Sequence, residues 1–309
     1  MSIATDLPAT DLPLGVHHGV EFADYCVLPH INISTLIWGL KSAEHLKAAL
    51  DGRMGKDSQA RSFGRALHAR LLEPDIFWRD YRVSPGCQEL LKTGASAGAP
   101  CGNHATWLYQ GKWVCGTHVP KAVKQISEPE QNVLSIADAR DIENCAAAVK
   151  RHEVVRLLRQ RGGFEATVRF QIEGIDAKAR LDKLIPMSER LPSIVLDLKK
   201  VQVGRAADED VARAIWEWHY DVKAAWYCDA VHIATGIMPQ FVWVFVEDGP
   251  PYGINVIQAD GETLAIGRIR YRECLGKYIT GMRTGAWPGY TNRVKVGGLP
   301  DYIRRRFKA

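Results

Sequence analysis

A chain of 309 residues with 46% hydrophobic and 24% charged residues has the composition of a globular protein and enough length to bury a substantial core. Its 40 Lys and Arg against 35 Asp and Glu leave a formal charge of +5, so the distribution of charge matters more than the total. No apolar run approaches the ~18 residues that span a bilayer, the acidic start from Met1 to Pro13 lacks the regions of a signal peptide, and seven cysteines argue for free thiols or a metal site over a disulfide framework. A cytoplasmic protein with no membrane partner is expected.

The first 30 residues are punctuated by Pro and Gly and predict an irregular lead-in. Ser34 is placed to cap a helix running to about Leu50, and a second helix covers Ser58 to Leu72, ended by Glu73-Pro74. Within it Gly64-Arg65-Ala66-Leu67-His68 sets a small residue one turn before a histidine. His68 reads either as a satisfied packing residue or as a group looking out where backbones approach closely.

Residues 84 to 120 break the pattern. Cys101-Gly102-Asn103-His104 and Cys115-Gly116-Thr117-His118 form two C-x2-H pairs around Trp107 to Val114, a hairpin turning near Gln110-Gly111. Two thiolates and two imidazoles, Cys101, His104, Cys115 and His118, can close a tetrahedron around a structural Zn²⁺. The alternative is a polar insertion in which none of them is a ligand, and Cys87 is a spare able to replace one histidine.

A helix is predicted over Leu134 to Gln160, opened by Ser135 with Asp138 three positions later and stopped by Arg161-Gly162-Gly163. Three strands follow: Phe164 to Ile172, a turn at Glu173-Gly174, Ile175 to Leu184, then Ser193 to Lys200. They make an antiparallel meander with Glu165 near the start of the first strand, Asp182 near the end of the second, and Asp197 with Lys199 near the end of the third. Hairpin geometry alone does not gather these ends, so twist or a bend must help. Asp197 and Lys199 share one strand face, either as an ordinary ion pair or as a metal ligand beside a cation that stabilises an oxyanion.

A long helix is expected over about Asp208 to Thr235, with Lys223 and Tyr227 on one face, by default a solvated lysine beside a half-buried tyrosine. Phe241 to Val246 reads as a central strand, Gly253 to Gln258 as another, and Asp260 to about Met282 as a final helix. The basic run Arg304-Arg305-Arg306 with Lys308 either tracks phosphates or is a solvated end.

Taken together, Phe63-Gly64-Arg65-Ala66-Leu67-His68, Ala179-Arg180-Leu181-Asp182, Asp197-Leu198-Lys199, Tyr220-Asp221-Val222-Lys223-Ala224-Ala225-Trp226-Tyr227 and Trp287-Pro288-Gly289-Tyr290 resemble the exonuclease VIII (RecE-type) phage recombination nucleases. Those belong to the RecB-like branch of the PD-(D/E)XK superfamily. The resemblance implies an α/β (α+β) fold with a restriction-endonuclease-like core, a mixed sheet flanked by helices, and here a small zinc-ribbon-like Cys/His insertion. It implies one nuclease domain with its core over about 30–290, the insertion at 84–120 and a basic tail at 291–309.

For function, the resemblance implies a Mg²⁺- or Mn²⁺-dependent exonuclease that digests linear duplex DNA from its 5′ ends, leaving 3′ single strands for a strand-annealing partner. The enzyme would be a homo-oligomer in the cytoplasm of a bacterial or phage-infected cell. Asp182, Asp197 and the Leu198 backbone carbonyl would hold metal with His68 against it, Lys199 would orient the attacking water, Glu165 would support the metal shell, and Tyr227 would join the catalytic set. Lys223 and Arg304, Arg305 and Arg306 would contact DNA. Two positions depart from the pattern: Leu181 stands where the superfamily name has Pro, and Lys223 where the family usually has Gln. A structure-specific endonuclease of the same superfamily, or a non-catalytic DNA-binding or assembly protein, are the rival readings.

Overall fold

Period-two alternation along the middle of the chain dictates the architecture. Ten strands form among the described residues: β1 Gly15–His17, β2 Arg82–Ser84, β3 Trp107–Tyr109, β4 Lys112–Val114, β5 Val133–Ser135, β6 Gly163–Ile172, β7 Ile175–Ile185, β8 Ile194–Val201, β9 Gln240–Glu247 and β10 Ile254–Gln258. The computed structural model describes residues 12–54, 59–291, 293–299 and 301–306; the first eleven residues, Ser58 at the expected start of the second helix, and Phe307 and Lys308 of the basic run lie outside them.

Six strands make one mixed sheet in the order β1-β6-β7-β8-β9-β10, antiparallel except for the parallel pair β8 and β9. The expected meander is the centre of this sheet. Glu173 and Gly174 turn β6 into β7 with φ of 51° and 76°, the left-handed pair that suits the twist of a two-residue hairpin. A parallel neighbour needs a crossover, which the helices Asp208–Glu217 and Tyr220–Thr235 supply between β8 and β9.

Alternate residues of β9 serve opposite faces. Val244 and Val246 join Leu196 and Leu198 beneath Phe63, Ala66 and Leu67 of the helix Gln59–Leu72 and Ile142, Cys145 and Val149 of the helix Ile136–Arg151. Phe241 and Phe245 turn the other way, where Tyr227 stacks on Phe241 at 6.4 Å between ring centroids and Tyr220 tilts against Phe245 at 6.4 Å. Helices thus cover both faces of the buried strands.

Three expected helices are interrupted, each by a local competitor. Asp208 to Thr235 forms two helices because His219 adopts φ 58°, ψ 36°, a left-handed residue that ends one helix before the next begins. Ser135 caps the helix Ile136–Arg151 as expected, its Oγ accepting from Asp138 N at 3.0 Å and donating to Asp138 Oδ2 at 2.8 Å, but the helix ends at Arg151, where His152 turns extended, and a short helix, Val155–Leu158, follows. The segment from Ile33 to Leu40 is short α then 3₁₀ helix, and a new helix starts at Ala43 because the extended Ser42 accepts from His45 N at 3.2 Å. Pro74 does more than end a helix: it opens the next, Pro74–Asp80, at the first helical position, where its missing N–H is no loss.

The chain divides into two compact units, residues 1–33 with 56–268, and residues 34–55 with 269–309. The first holds the sheet. In the second, Lys277 Nζ donates to Gly39 O at 2.8 Å and Glu44 N to Pro288 O at 3.2 Å, so the Trp287-Pro288-Gly289-Tyr290 phrase is tied by backbone to the helix Ala43–Leu50. Gly162, with φ of 142°, leads into β6 where a Cβ would lie 2.0 Å from Leu184 O, so only glycine fits. No helix among the described residues is long and apolar enough to cross a membrane.

Candidate active site

Strand register places the three acids. On either side of Glu165 the ladder of β6 and β7 keeps step, Phe164 opposite Lys183 and Ala166 opposite Leu181. Glu165 therefore falls opposite Asp182, where the pairing lapses and Glu165 takes a φ of 47°. Such a backbone is costly for a residue with a side chain and persists only where the surroundings impose it. On the other side of β7 the ladder with β8 has three pairs, ending at Lys183 opposite Leu196. The next pair in step is Asp182 with Asp197, and there the strands part. Asp182 Oδ2 accepts from Leu198 N at 2.6 Å in place of a ladder bond. Glu165, Asp182 and Asp197 thus occupy one row across three strands, at a point where the ladders on both sides of β7 open.

The helix Gln59–Leu72 brings His68 to this opening. Its Nε2 lies 2.9 Å from Leu198 O and its Nδ1 3.5 Å from Asp182 Oδ2. With the proton assigned to Nε2, which donates to Leu198 O, the Nδ1 lone pair faces a carboxylate oxygen, an arrangement that suits a cation between them. His68, Glu165 and Asp182 each offer a ligand atom within 4.8 Å of the others. Asp197 stands beside this trio; it is 4% exposed and ion-paired with Lys199, whose Nζ also donates to Leu198 O at 3.3 Å.

The electrostatics follow from burying like charges together. Burial first, then the Asp182 charge, push the Glu165 carboxyl up to about 7, against the pull of Arg180 and His68. Burial likewise raises Asp197, with Lys199 opposing it. Burial would lower Lys199, but the carboxylates of Asp197 and Asp182 outweigh it and hold the ammonium above its ordinary range. Lys199 is therefore a cation at any physiological pH.

Two neighbours stand in the quoted phrases but were given no role. Arg180, quoted only within the Ala179-Arg180-Leu181-Asp182 phrase, donates from Nε to Glu165 Oε2 and from Nη1 to Val20 O, both at 2.7 Å. It has the Phe22 and Tyr25 rings at 5.7 and 5.9 Å, so the lead-in expected to be irregular contributes a short helix, Phe22–Val27, beside the site. Tyr220, which follows the left-handed His219, places its ring 5.2 Å from Lys199 Nζ and 5.9 Å from Lys223 Nζ. An alternating pattern cannot reveal such contacts, because they depend on where the helix breaks.

The remaining expected site residues are distributed as follows. Tyr227 is stacked on Phe241, its phenol raised well above the ordinary value by burial and then by the Asp197 charge. Arg304, Arg305 and Arg306 are exposed on a short helix, Asp301–Arg306, in the second unit, with Arg304 Nε donating to Leu299 O at 2.6 Å. In the insertion, β3 and β4 form the expected hairpin around Gln110 and Gly111. The ligand-type residues that converge there are Cys87, Cys101, Cys115 and His118; His104 is exposed and outside the group, and Cys87 takes its place.

Residues 33–297 match the family model described as a PDDEXK-like domain of unknown function (DUF3799). Among solved structures, the crystal structure of a "Putative exonuclease" from Eubacterium rectale aligns at 14% identity over 90% of this chain and 94% of that one, with a TM-score of 0.53, and so shares the fold. The structure of SSO0001 aligns at 13% identity over 52% of this chain and 81% of that one, with a TM-score of 0.26 that carries no argument. Among curated proteins, none matches the sequence.

Proposed function

Because this chain belongs to the PDDEXK-like family DUF3799, of the PD-(D/E)XK superfamily, we propose that it is a divalent-metal-dependent deoxyribonuclease. The observation that carries the reading is the row Glu165, Asp182 and Asp197 with His68 and Lys199 gathered at the opening between strands. Hard carboxylate and carbonyl oxygens with one imidazole are a donor set that fits Mg²⁺ or Mn²⁺. His68, Glu165, Asp182 and the Leu198 carbonyl would hold the ion, with Asp197 adjoining. A bound divalent cation supplies a lowered pKa for water and neutralises charge building on phosphate oxygens.

The chain's own groups complete the chemistry. Lys199, held charged by Asp197, orients the attacking water and stabilises the phosphate's developing charge. Arg180 fixes the Glu165 carboxylate in place. Tyr220 and Lys223 border Lys199 on the crossover helix, where a strand phosphate would be met.

The finer reading rests on the resemblance to exonuclease VIII: digestion of linear duplexes from 5′ ends, release of 3′ single strands to an annealing protein, and assembly into a homo-oligomer. End-labelled linear duplex with Mg²⁺, beside a covalently closed circle, tests it. Mononucleotides from the 5′-labelled strand and an intact circle are expected; cleavage of the circle supports an endonuclease instead, and no cleavage in either Mg²⁺ or Mn²⁺ overturns the nuclease reading.

Glu165 adds a pH signature. Its folded-state carboxyl titrates near 7, above the unfolded value, so its protonated form stabilises the metal-free protein at low pH, and that contribution is lost as pH rises through about 7. A cation must displace this proton below about 7 and finds the carboxylate free above it. The increase in Tm given by Mn²⁺ is therefore expected to grow between about pH 6 and about pH 8, and to flatten in Glu165→Gln. A pH-independent increase in the wild type removes Glu165 from the metal shell.

A further inference from the structure

Away from the catalytic row, residues 84–120 gather four soft ligands that the nuclease reading does not use. Cys87, Cys101, Cys115 and His118 each offer a ligand atom within 4.8 Å of the others. His118 Nδ1 is 3.3 Å from Cys87 Sγ and 3.5 Å from Cys115 Sγ. A tetrahedron with metal–sulfur bonds of about 2.3 Å has edges of about 3.8 Å, so these spacings suit one ion. An iron–sulfur cluster, with inorganic sulfide between its cysteines, would hold them farther apart.

The backbone is built around these sulfurs. Amides of Thr117 and His118 donate to Cys115 Sγ, and those of Glu89 and Cys115 to Cys87 Sγ, so backbone donors converge on both sulfurs. The two loops are laced together, Cys87 N donating to Asn103 O at 2.8 Å and Gly102 N to Cys87 O at 3.0 Å. They approach so closely that a Cβ on Gly86 would lie 2.9 Å from Gly102 O. Meanwhile the apolar centre of the insertion is only Cys87, Ala105, Val114, Cys115 and Val119, flanked by Trp107, Tyr109 and Trp113. A core of that size does not hold a segment of this length without a cross-link.

We propose that Cys87, Cys101, Cys115 and His118 bind one structural zinc ion that fastens the β3–β4 hairpin to the end of β2. Three thiolates select zinc over the hard cation of the catalytic row, and four protein ligands leave no position open for substrate. Loading releases the thiol protons to solvent. The second C-x2-H pair supplies both of its members, whereas the first supplies only Cys101, and Cys87 completes the set from outside both pairs. Since β2 pairs with β5, which leads into the Ser135-capped helix, the ion ties the insertion to an element of the main core.

Metal content of protein purified without chelators tests this without any DNA, so its outcome is separate from that of the nuclease assay. One zinc per chain is expected in the wild type, in His104→Ala and in Asp182→Asn, falling to less than about a tenth of that in Cys87→Ser. Should Cys87→Ser fail to fold, Co²⁺-substituted wild type decides, because its charge-transfer and d–d bands report a tetrahedral site with three thiolates. Absence of zinc from the wild type, zinc lost in His104→Ala, a two-thiolate Co²⁺ spectrum, or iron with broad visible absorption each overturns the proposal.

Discussion

Lys199→Ala lowers the rate of DNA cleavage by on the order of 10²–10³-fold, the loss typical of removing one preorganised group that stabilises transition-state charge. The same substitution strands Asp197, a buried carboxylate whose cation partner is gone. An unpaired buried charge costs about 3–5 kcal/mol unless the group is protonated. Asp197, already raised by burial, shifts further up in the variant, so the variant's stability is kept at low pH and lost as pH rises. Catalytic and structural losses would then be confused in the single variant. Asp197→Asn combined with Lys199→Met removes the charged pair together and restores most of the stability. A double variant with wild-type Tm and no nuclease activity identifies the pair as part of the reaction; one that recovers activity reduces Lys199 to a structural partner of Asp197.

Asp182→Asn is expected to abolish cleavage to within the background of the assay while leaving the fold intact. Asparagine keeps an oxygen at the Oδ2 position for the 2.6 Å bond from Leu198 N, the same position that lies 3.5 Å from His68 Nδ1, and its amide nitrogen replaces the other carboxylate oxygen. What disappears is the negative charge at the centre of the trio, and with it the stabilisation by Mn²⁺ in a thermal melt. Losing that charge also removes the second-largest influence on Glu165, after burial, so its carboxyl falls back toward the ordinary range. Thermal melts with and without Mn²⁺ across pH follow both effects. A variant that keeps full Mn²⁺ stabilisation places the ion elsewhere.

Much of the site was legible because its residues lie on regular strands. Alternation located β6, β7 and β8, and Glu165, Asp182, Asp197 and Lys199 came with them. The convergence of the acids was not legible, since it depends on which residue faces which across two ladders, a property of pairing that no single strand's pattern carries. The expectation that twist or a bend must gather them gives way to something simpler, a common row. Helix ends were read less well where a side chain, an extended residue or a left-handed residue intervened, at Ser42, at His152 and at His219, whereas Ser135 opens its helix as expected. In the insertion, two matched C-x2-H pairs suggested a symmetric ligand set, but Cys87 and His104 exchange roles because proximity is set by the loop after β2 and not by spacing within a pair.

The two-residue turn at Glu173 and Gly174 gives the row a further consequence. Side chains on a strand point alternately to opposite sides, so adding or removing one residue in that turn would bring Leu181 or Lys183 level with Glu165 and point Asp182 away. For the proposed nuclease, catalytic competence is a parity condition on strand alignment. A misaligned sheet would be silent and not merely less selective, so the onset of cleavage during refolding would report correct hairpin pairing, a step that overall helix content does not see.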